Sequence, residues 1–304
     1  MVRVTVLASG SKGNSAVVSS ARTRILVDAG LSCRELMKRM KAAGEDPCSL
    51  DAILITHEHQ DHVQGLAVTA RKLGIPVYVT EPTHRAWVRW MTPKKRITYA
   101  EWLEQRKAQA AAAGEPSLEE QSAAEESLAE PERDPARLPA VEYFRSGDDF
   151  RIGDIAVTPF TVPHDAVDPV GFVFESEGIR VGIATDLGYL PSNVHVHLRR
   201  CDLLMLESNH DLDMLRDGPY PWSVKQRVMS RVGHLSNDAA ADFLERDYDG
   251  HAAWVVLAHL SESNNLPELA RLSAERALRD RVSLLANRLV LAEQHRPLES
   301  IVLD

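Results

Sequence analysis

Residues 56–62 read Thr-His-Glu-His-Gln-Asp-His, which places His57, His59, Asp61 and His62 within six positions. Neutral imidazole and carboxylate are ligands for Zn²⁺, Mn²⁺ or Fe²⁺, and side chains this close together can serve two adjacent ions. The apolar run Ala52-Ile53-Leu54-Ile55 precedes them. It predicts a buried strand whose end releases all four side chains where the chain bends toward a helix. A solvated polar loop would carry this set only by coincidence, so the turn reads as a dinuclear metal site.

Two ions need more donors than one turn supplies, and the rest are to be sought directly after other strands. His164 follows Phe160-Thr-Val-Pro, Asp186 follows Val181-Gly-Ile-Ala-Thr, and His259 follows Trp254-Val-Val-Leu-Ala. Alone, His164 or His259 would be an ordinary hydrogen-bonded core histidine; the cluster at 57–62 makes them ligand candidates. A water bridging two such ions loses a proton near neutral pH and, as hydroxide, attacks in line while the cations stabilise the developing oxyanion. Phosphodiesters gain most from that arrangement.

The elements that must hold these residues alternate along the chain. Val2–Leu7, Ala16–Val18 and Arg24–Val27 predict an antiparallel meander with Gly/Ser/Asn turns. Cys33–Ala43 and Val63–Leu73 have helical spacing, and Val77–Val79 is a further strand. Phe150–Phe160 predicts a hairpin turning at Gly153-Asp154, followed by strands at Val170–Glu175, Ile179–Ala184, Leu203–Leu206 and Trp254–Leu257. Helices are expected near 221–231, 237–246 and 266–279, the second capped by Ser236 or Asn237.

The chain of 304 residues suits one large α/β domain. Its net charge of −9 excludes a wholly basic surface, but the excess is local: between Glu115 and Asp134 eight carboxylates stand against Arg133 alone. This Ala/Glu/Gln-rich tract, broken by Gly114, Pro116, Pro131 and Pro135, is expected to be a flexible acidic insertion at about 108–138 of a single domain spanning 1–304. A solvated insertion is the main reading of it, an autoinhibitory nucleic-acid mimic the sharper one. Cys33, Cys48 and Cys201 form no CxxC pair or even framework, which points to a reducing compartment. No leader pattern and no run of about eighteen apolar residues is present, so a soluble cytoplasmic protein without membrane contact is expected.

Ser9-Gly10-Ser11-Lys12-Gly13-Asn14-Ser15 has two readings. It is a plain β-turn, or a small-residue turn where Ser9, Ser11, Lys12 and Asn14 hold phosphate beside exposed backbone N–H groups. Lys94, Lys95 and Arg96 follow a helix bearing Trp87 and Trp90, a combination that could track a nucleic-acid backbone. Tryptophans at helical spacing are more often core.

His-x-His-x-Asp-His, followed by His164, Asp186 and His259 in that order, resembles the signature of the metallo-β-lactamase superfamily. The likeness implies a four-layer αβ/βα sandwich of two mixed β-sheets flanked by helices. It implies that His57, His59 and His164 bind one ion, Asp61, His62 and His259 the other, and that Asp186 bridges them. Asp28 matches an aspartate that orients ligand histidines in this family, although a turn or capping role is as well supported by the residue itself. Because His59 stands where the oxygen-reducing diiron branch has glutamate, the resemblance favours hydrolysis. In the nuclease branch, a glutamate after a strand pairs with a histidine that protonates the leaving oxygen; Glu207 and His234 stand there, and with Asp61 are the candidate catalytic residues.

Six segments carry a closer likeness to the bacterial YycJ/WalJ (VicX) branch. They are Ala8–Ser15, Thr56–Gly65, Glu207–Asp211, Gly218-Pro-Tyr-Pro-Trp222, Gly233–Asn237, and Leu257–Ser261 with Asn264-Asn265. That branch implies a metal-dependent nuclease with two divalent ions and a nucleic-acid substrate, DNA above RNA, and 5′→3′ exonuclease activity on duplex DNA is attributed to its type member. The acidic insertion departs from the branch's compact pattern. Two other classes stay open: a glyoxalase-like thioesterase or lactonase, and a non-catalytic scaffold that keeps a metal for stability. The Glu207–His234 pair separates the first reading from the thioesterase, which needs neither residue.

Overall fold

The structure, a computed structural model, describes residues 1–92, 103, 104, 107, 134–285 and 288–304. The triplet Lys94–Arg96 and tract 108–133 of the acidic insertion lie outside the described residues. Two compact units result: Met1–Ala86 with Leu138–Asp304, and Trp87–Arg137. In the second unit the two tryptophans part, Trp87 being buried and Trp90 58% exposed.

Among the described residues the first unit holds two seven-stranded sheets. The first contains β1 (Val2–Ala8), β2 (Ser15–Ser19), β3 (Arg24–Val27), β4 (Ala52–Leu54), β5 (Val77–Thr80), β6 (Val141–Phe144) and β14 (Ile301–Leu303), in the order β14-β1-β2-β3-β4-β5-β6. Strands β3 to β6 run parallel, while β14, β1 and β2 complete the sheet antiparallel. The second sheet mirrors that division. Strands β7 (Phe150–Ile152), β8 (Ile155–Thr161), β9 (Val170–Ser176) and β10 (Ile179–Ala184) form an antiparallel half. Strands β11 (Leu203–Glu207), β12 (Trp254–Ala258) and β13 (Arg288–Leu291) extend β10 in parallel.

Strand β11 shows how the sequence pattern sets the layers. Leu203 and Met205 enter the core between the sheets, where they join Val4, Val18, Ile25 and Phe172. Leu204 and Leu206 face the other way and pack with Val194, Phe243, Leu244 and Leu278. These come from helices α5 (Ser192–Leu198), α8 (Asn237–Arg246) and α9 (Pro267–Leu285). A continuous apolar strand is what a parallel sheet covered on both faces requires. On the first sheet, α1 (Cys33–Ala42) packs on β1 and on α3 (Leu66–Leu73), burying Leu36, Met40 and Ala70. The fold is the expected sandwich of two mixed sheets flanked by helices.

The helix expected over 63–73 is divided into α2 (Gln60–Val63) and α3. At the break, Gly65 N donates to the Ala29 carbonyl, and a Cβ on Gly65 would lie 2.0 Å from the Leu31 carbonyl oxygen. The loop after β3 thus takes the place of a continuous helical turn. Helices α4 (Glu81–Met91), α6 (Leu212–Asp217) and α7 (Trp222–Val228) complete the set among the described residues. Ser236 caps α8 by accepting from Ala239 N at 3.1 Å, which decides between the two expected caps. No helix among the described residues is long and apolar enough to cross a membrane.

Candidate metal centre

The candidate ligands, with Asp28 and Glu207 beside them, lie at or just after strand ends on the same side of the two sheets. Asp28 follows β3, the His57–His62 turn follows β4, and His164, Asp186 and His259 follow β8, β10 and β12; Glu207 closes β11. Carboxyl ends of parallel strands are where α/β sheets place ligands, because the loops there diverge from a common edge. Asp28, Asp186 and His259 all adopt left-handed backbone, with φ of 59°, 59° and 57°. A non-glycine residue there costs on the order of 1–3 kcal/mol unless its surroundings enforce it. At His259 they do: its N–H donates to Ser9 Oγ at 2.7 Å, and Asn209 Nδ2 donates to its carbonyl at 2.8 Å.

The candidate donor atoms gather into overlapping sets, each within 4.8 Å: His57, His59 and His164; Asp61, His62 and His259; and Asp186 with His57 and His62. Four histidines share one further feature: one ring nitrogen of each is tied to a protein acceptor. His57 Nδ1 faces Thr56 Oγ1 at 3.0 Å, and His62 Nδ1 faces Asp28 Oδ2 at 2.8 Å. His164 Nδ1 faces the Gly233 carbonyl at 3.0 Å, and His259 Nδ1 faces Glu207 Oε1 at 2.8 Å. Each acceptor selects the Nδ1–H tautomer and leaves Nε2 as a lone pair, the state in which imidazole binds a cation. His57 Nε2, His259 Nε2 and Asp186 Oδ2 are buried without a hydrogen-bond partner. Buried acceptors without partners are unfavourable by themselves and are satisfied by a cation, so the residues fit divalent metal.

The electrostatics agree. Burial pushes the His57 imidazole well below its usual range, with His62 and His164 adding to the shift, and burial lowers His164 as well. At Asp61, Asp186 and Glu207 burial pulls the other way, but neighbouring histidines hold all three carboxyls below the usual range. At His62 and His259 burial is outweighed by Asp186 and the other carboxylates around them, which raises both. The pocket therefore concentrates negative charge around the imidazoles of His62 and His259, a field that favours a cation at their ring nitrogens.

Asp28 and Glu207 brace the set from outside. Asp28 accepts from Thr56 N, Thr56 Oγ1 and His62 Nδ1 at 2.8–2.9 Å. Glu207, wholly buried, takes His234 Nδ1 and His259 Nδ1 on one oxygen, both at 2.8 Å, and Leu187 N and Leu235 N on the other. Asp186, Glu207, His234 and His259 also form a close set, but these hydrogen bonds close it from within. His234 is left with Nε2 as its disposable nitrogen, and its side chain is 21% exposed.

The turn after β1 divides. Ser9 and Asn14 are buried and engaged by the protein: Ser9 Oγ takes the His259 N–H, while the Asn14 amide lies 3.2 Å from Asp61 Oδ2 and 3.0 Å from His62 Nε2. Their polar atoms brace the centre. Ser11 and Lys12 are exposed, and Lys12 Nζ pairs with Glu262 at 2.5 Å. Sequence reasoning missed the Thr56 hydroxyl and the Gly233 carbonyl; a Thr directly before the first histidine was a signal for one, and no residue type signals the other. It also missed the pairing of Arg227 with Asp165, beside His164.

Residues 9–259 match the profile of the metallo-β-lactamase superfamily. The chain is 34% identical over 278 residues to a Bacillus anthracis protein named exodeoxyribonuclease YycJ, covering 91% of this chain and 89% of that one. It is 32% identical over 271 residues to a Streptococcus pneumoniae protein named exodeoxyribonuclease WalJ, covering 89% and 86%. Among solved structures, the metallo-β-lactamase fold protein YhfI from Bacillus subtilis superposes with a TM-score of 0.62 at 15% identity, over 98% of this chain and all of that one. The chain belongs to the metallo-β-lactamase superfamily and, within it, to the branch of YycJ and WalJ.

Proposed function

We propose that the chain is a metal-dependent phosphodiesterase that trims DNA from its ends. His57, His59 and His164 would hold one divalent cation, Asp61, His62 and His259 a second, with Asp186 between them. The pair, of Zn, Mn or Fe, would supply positive charge toward phosphate oxygens and acidify water. The protein's own contribution is orientation and a proton. Asp28, Thr56, Glu207 and the Gly233 carbonyl fix the tautomers of His62, His57, His259 and His164. Glu207 holds the Nδ1 proton of His234, so that Nε2 is the atom to protonate the leaving oxygen of a cleaved ester.

The Glu207–His234 pair at 2.8 Å, set against the ligand cluster, carries this reading. A thioesterase or lactonase has no use for it. The relatives' names, both exodeoxyribonucleases, support DNA as substrate and attack from ends. Three free cysteines accord with work in a reducing cytoplasm. To test the reading, Mn²⁺-loaded protein is incubated with duplex and single-stranded DNA and RNA labelled at either end. Progressive loss of nucleotides from DNA is expected; intact polymer in every lane would overturn it. His234→Ala should keep its metal content and lose roughly a hundredfold in turnover, the scale of a lost general acid. Unchanged turnover would remove His234 from that role.

A further inference from the structure

Between Gly218 and His234 the sequence carries Lys225, Arg227 and Arg231 and no carboxylate, in a chain of net charge −9. The segment is tied to the centre through its backbone. His234 N donates to the Val228 carbonyl at 2.9 Å, Gly233 N to the Ser230 carbonyl at 3.0 Å, and the Gly233 carbonyl receives His164. On its other side, Gly188 leaves so little room that a Cβ there would lie 2.4 Å from the Arg231 carbonyl carbon. Lys225 is spent internally, being buried with Nζ donating to the Arg216 carbonyl at 2.6 Å. The two arginines keep exposed side chains. Arg227 has a side chain 61% exposed and pairs with Asp165, whose second oxygen lies 3.5 Å from His164 Nε2. Arg231 is exposed and lies over the ring of Tyr189, three residues past Asp186, at 4.4 Å from the centroid.

We propose that Arg227 and Arg231 bind the phosphates flanking the scissile one, and that Arg227 exchanges Asp165 for a substrate phosphate when a strand is bound. The inference rests on the phosphodiesterase reading and names how that site holds its polymer. An acidic protein must present local cations to a polyanion, and a guanidinium offers phosphate two parallel hydrogen bonds that carry no sequence preference. Asp165 holds Arg227 beside His164 before substrate arrives, which lowers the cost of ordering it. Arg231 is held over Tyr189, its charged edge left for phosphate.

The test compares wild type, Arg227→Ala, Arg231→Ala and Arg227→Lys as Mn²⁺-loaded full chains. Binding to a cleavage-resistant phosphorothioate DNA duplex is followed by fluorescence anisotropy across a salt series, and KM and kcat are measured on ordinary duplex and on bis(p-nitrophenyl) phosphate, which has no flanking phosphate. Each Ala variant is expected to weaken duplex binding and raise its KM about tenfold, and to reduce the slope of log K against log salt by about 1. Saturated kcat on duplex should fall less than about threefold, and Arg227→Lys should restore the salt slope. Unchanged binding and slope would overturn the proposal. So would an equal loss of kcat on both substrates, since Arg227 would then be acting through Asp165 on His164. If wild type cleaves neither substrate while the Ala variants still lose duplex affinity and slope, the phosphate contacts stand and the hydrolytic reading falls.

Discussion

Glu207 shows how much one buried carboxylate can organise. Both oxygens are saturated: one receives His234 and His259, the other the N–H groups of Leu187 and Leu235. All four partners are donors, so an acceptor-only group is required. Glu207→Gln keeps the shape and reverses half of the chemistry, because its NH₂ must face either two imidazole N–H groups or two backbone N–H groups. An unsatisfied buried donor costs about 1–3 kcal/mol, and losing such a brace weakens metal binding about 10–100-fold. Glu207→Gln is therefore expected to lower both metal stoichiometry and turnover, whereas His234→Ala lowers turnover alone. Elemental analysis after dialysis checks the difference, and full metal occupancy in Glu207→Gln would show that its bond to His259 is dispensable.

At the scale of elements, the centre depends on backbone meeting backbone. Gly30 N donates to the Asn14 carbonyl and Asn14 N to the Asp61 carbonyl, while a Cβ on Gly30 would lie 1.7 Å from that same Asp61 oxygen. None of these atoms is the end of a flexible side chain. Gly30→Ala must push the loop after β3 away from the histidine turn, at about 1–3 kcal/mol. The expected result is a lower Tm and weaker metal retention together, measured by thermal unfolding with and without Mn²⁺; an unchanged Tm in both would mean the loop yields freely. The ligand candidates were legible because each is a His or Asp directly after an apolar strand, and two sheets bring strand ends together. The contacts that orient them were not, since a carbonyl such as that of Gly233 has no sequence signature. Three strands escaped for a related reason: β6, β13 and β14 lie at sheet edges and are only partly buried, so they lack the continuous apolar run that marks the equally short β4. The polar words Glu207–Asp211, Gly233–Asn237 and Asn264-Asn265 prove to be one network, in which Asn265 Nδ2 donates to the carbonyls of Ser208 and Asn209 and Asn237 Nδ2 donates to Asn265 Oδ1.

Across the whole first unit, the candidate ligands come from both sheets, so the cluster is only as well defined as the registry between them. Apolar packing in the shared core is non-directional. A polar tie supplies direction: Asp154, in the β7–β8 turn of the second sheet, receives Ser20 Oγ at 2.7 Å from the β2–β3 turn of the first, and its N–H donates to Thr23 Oγ1 at 3.2 Å. Hydrogen bonding by Thr23 and Ser20 lowers the Asp154 carboxyl to about 2. A carboxyl depressed in the folded state stabilises that state at every pH above its unfolded value, near 4, and the contribution is lost as pH falls from there through about 2. Solvent screening at the rim limits the effect to about 1 kcal/mol. Asp154→Asn should therefore be less stable than wild type by about that amount at neutral pH. The gap should close as acid is added between about pH 4 and pH 2, when both are compared by urea unfolding. A gap of constant size across that interval would mean that Asp154 ties the sheets by shape alone and that its charge contributes nothing.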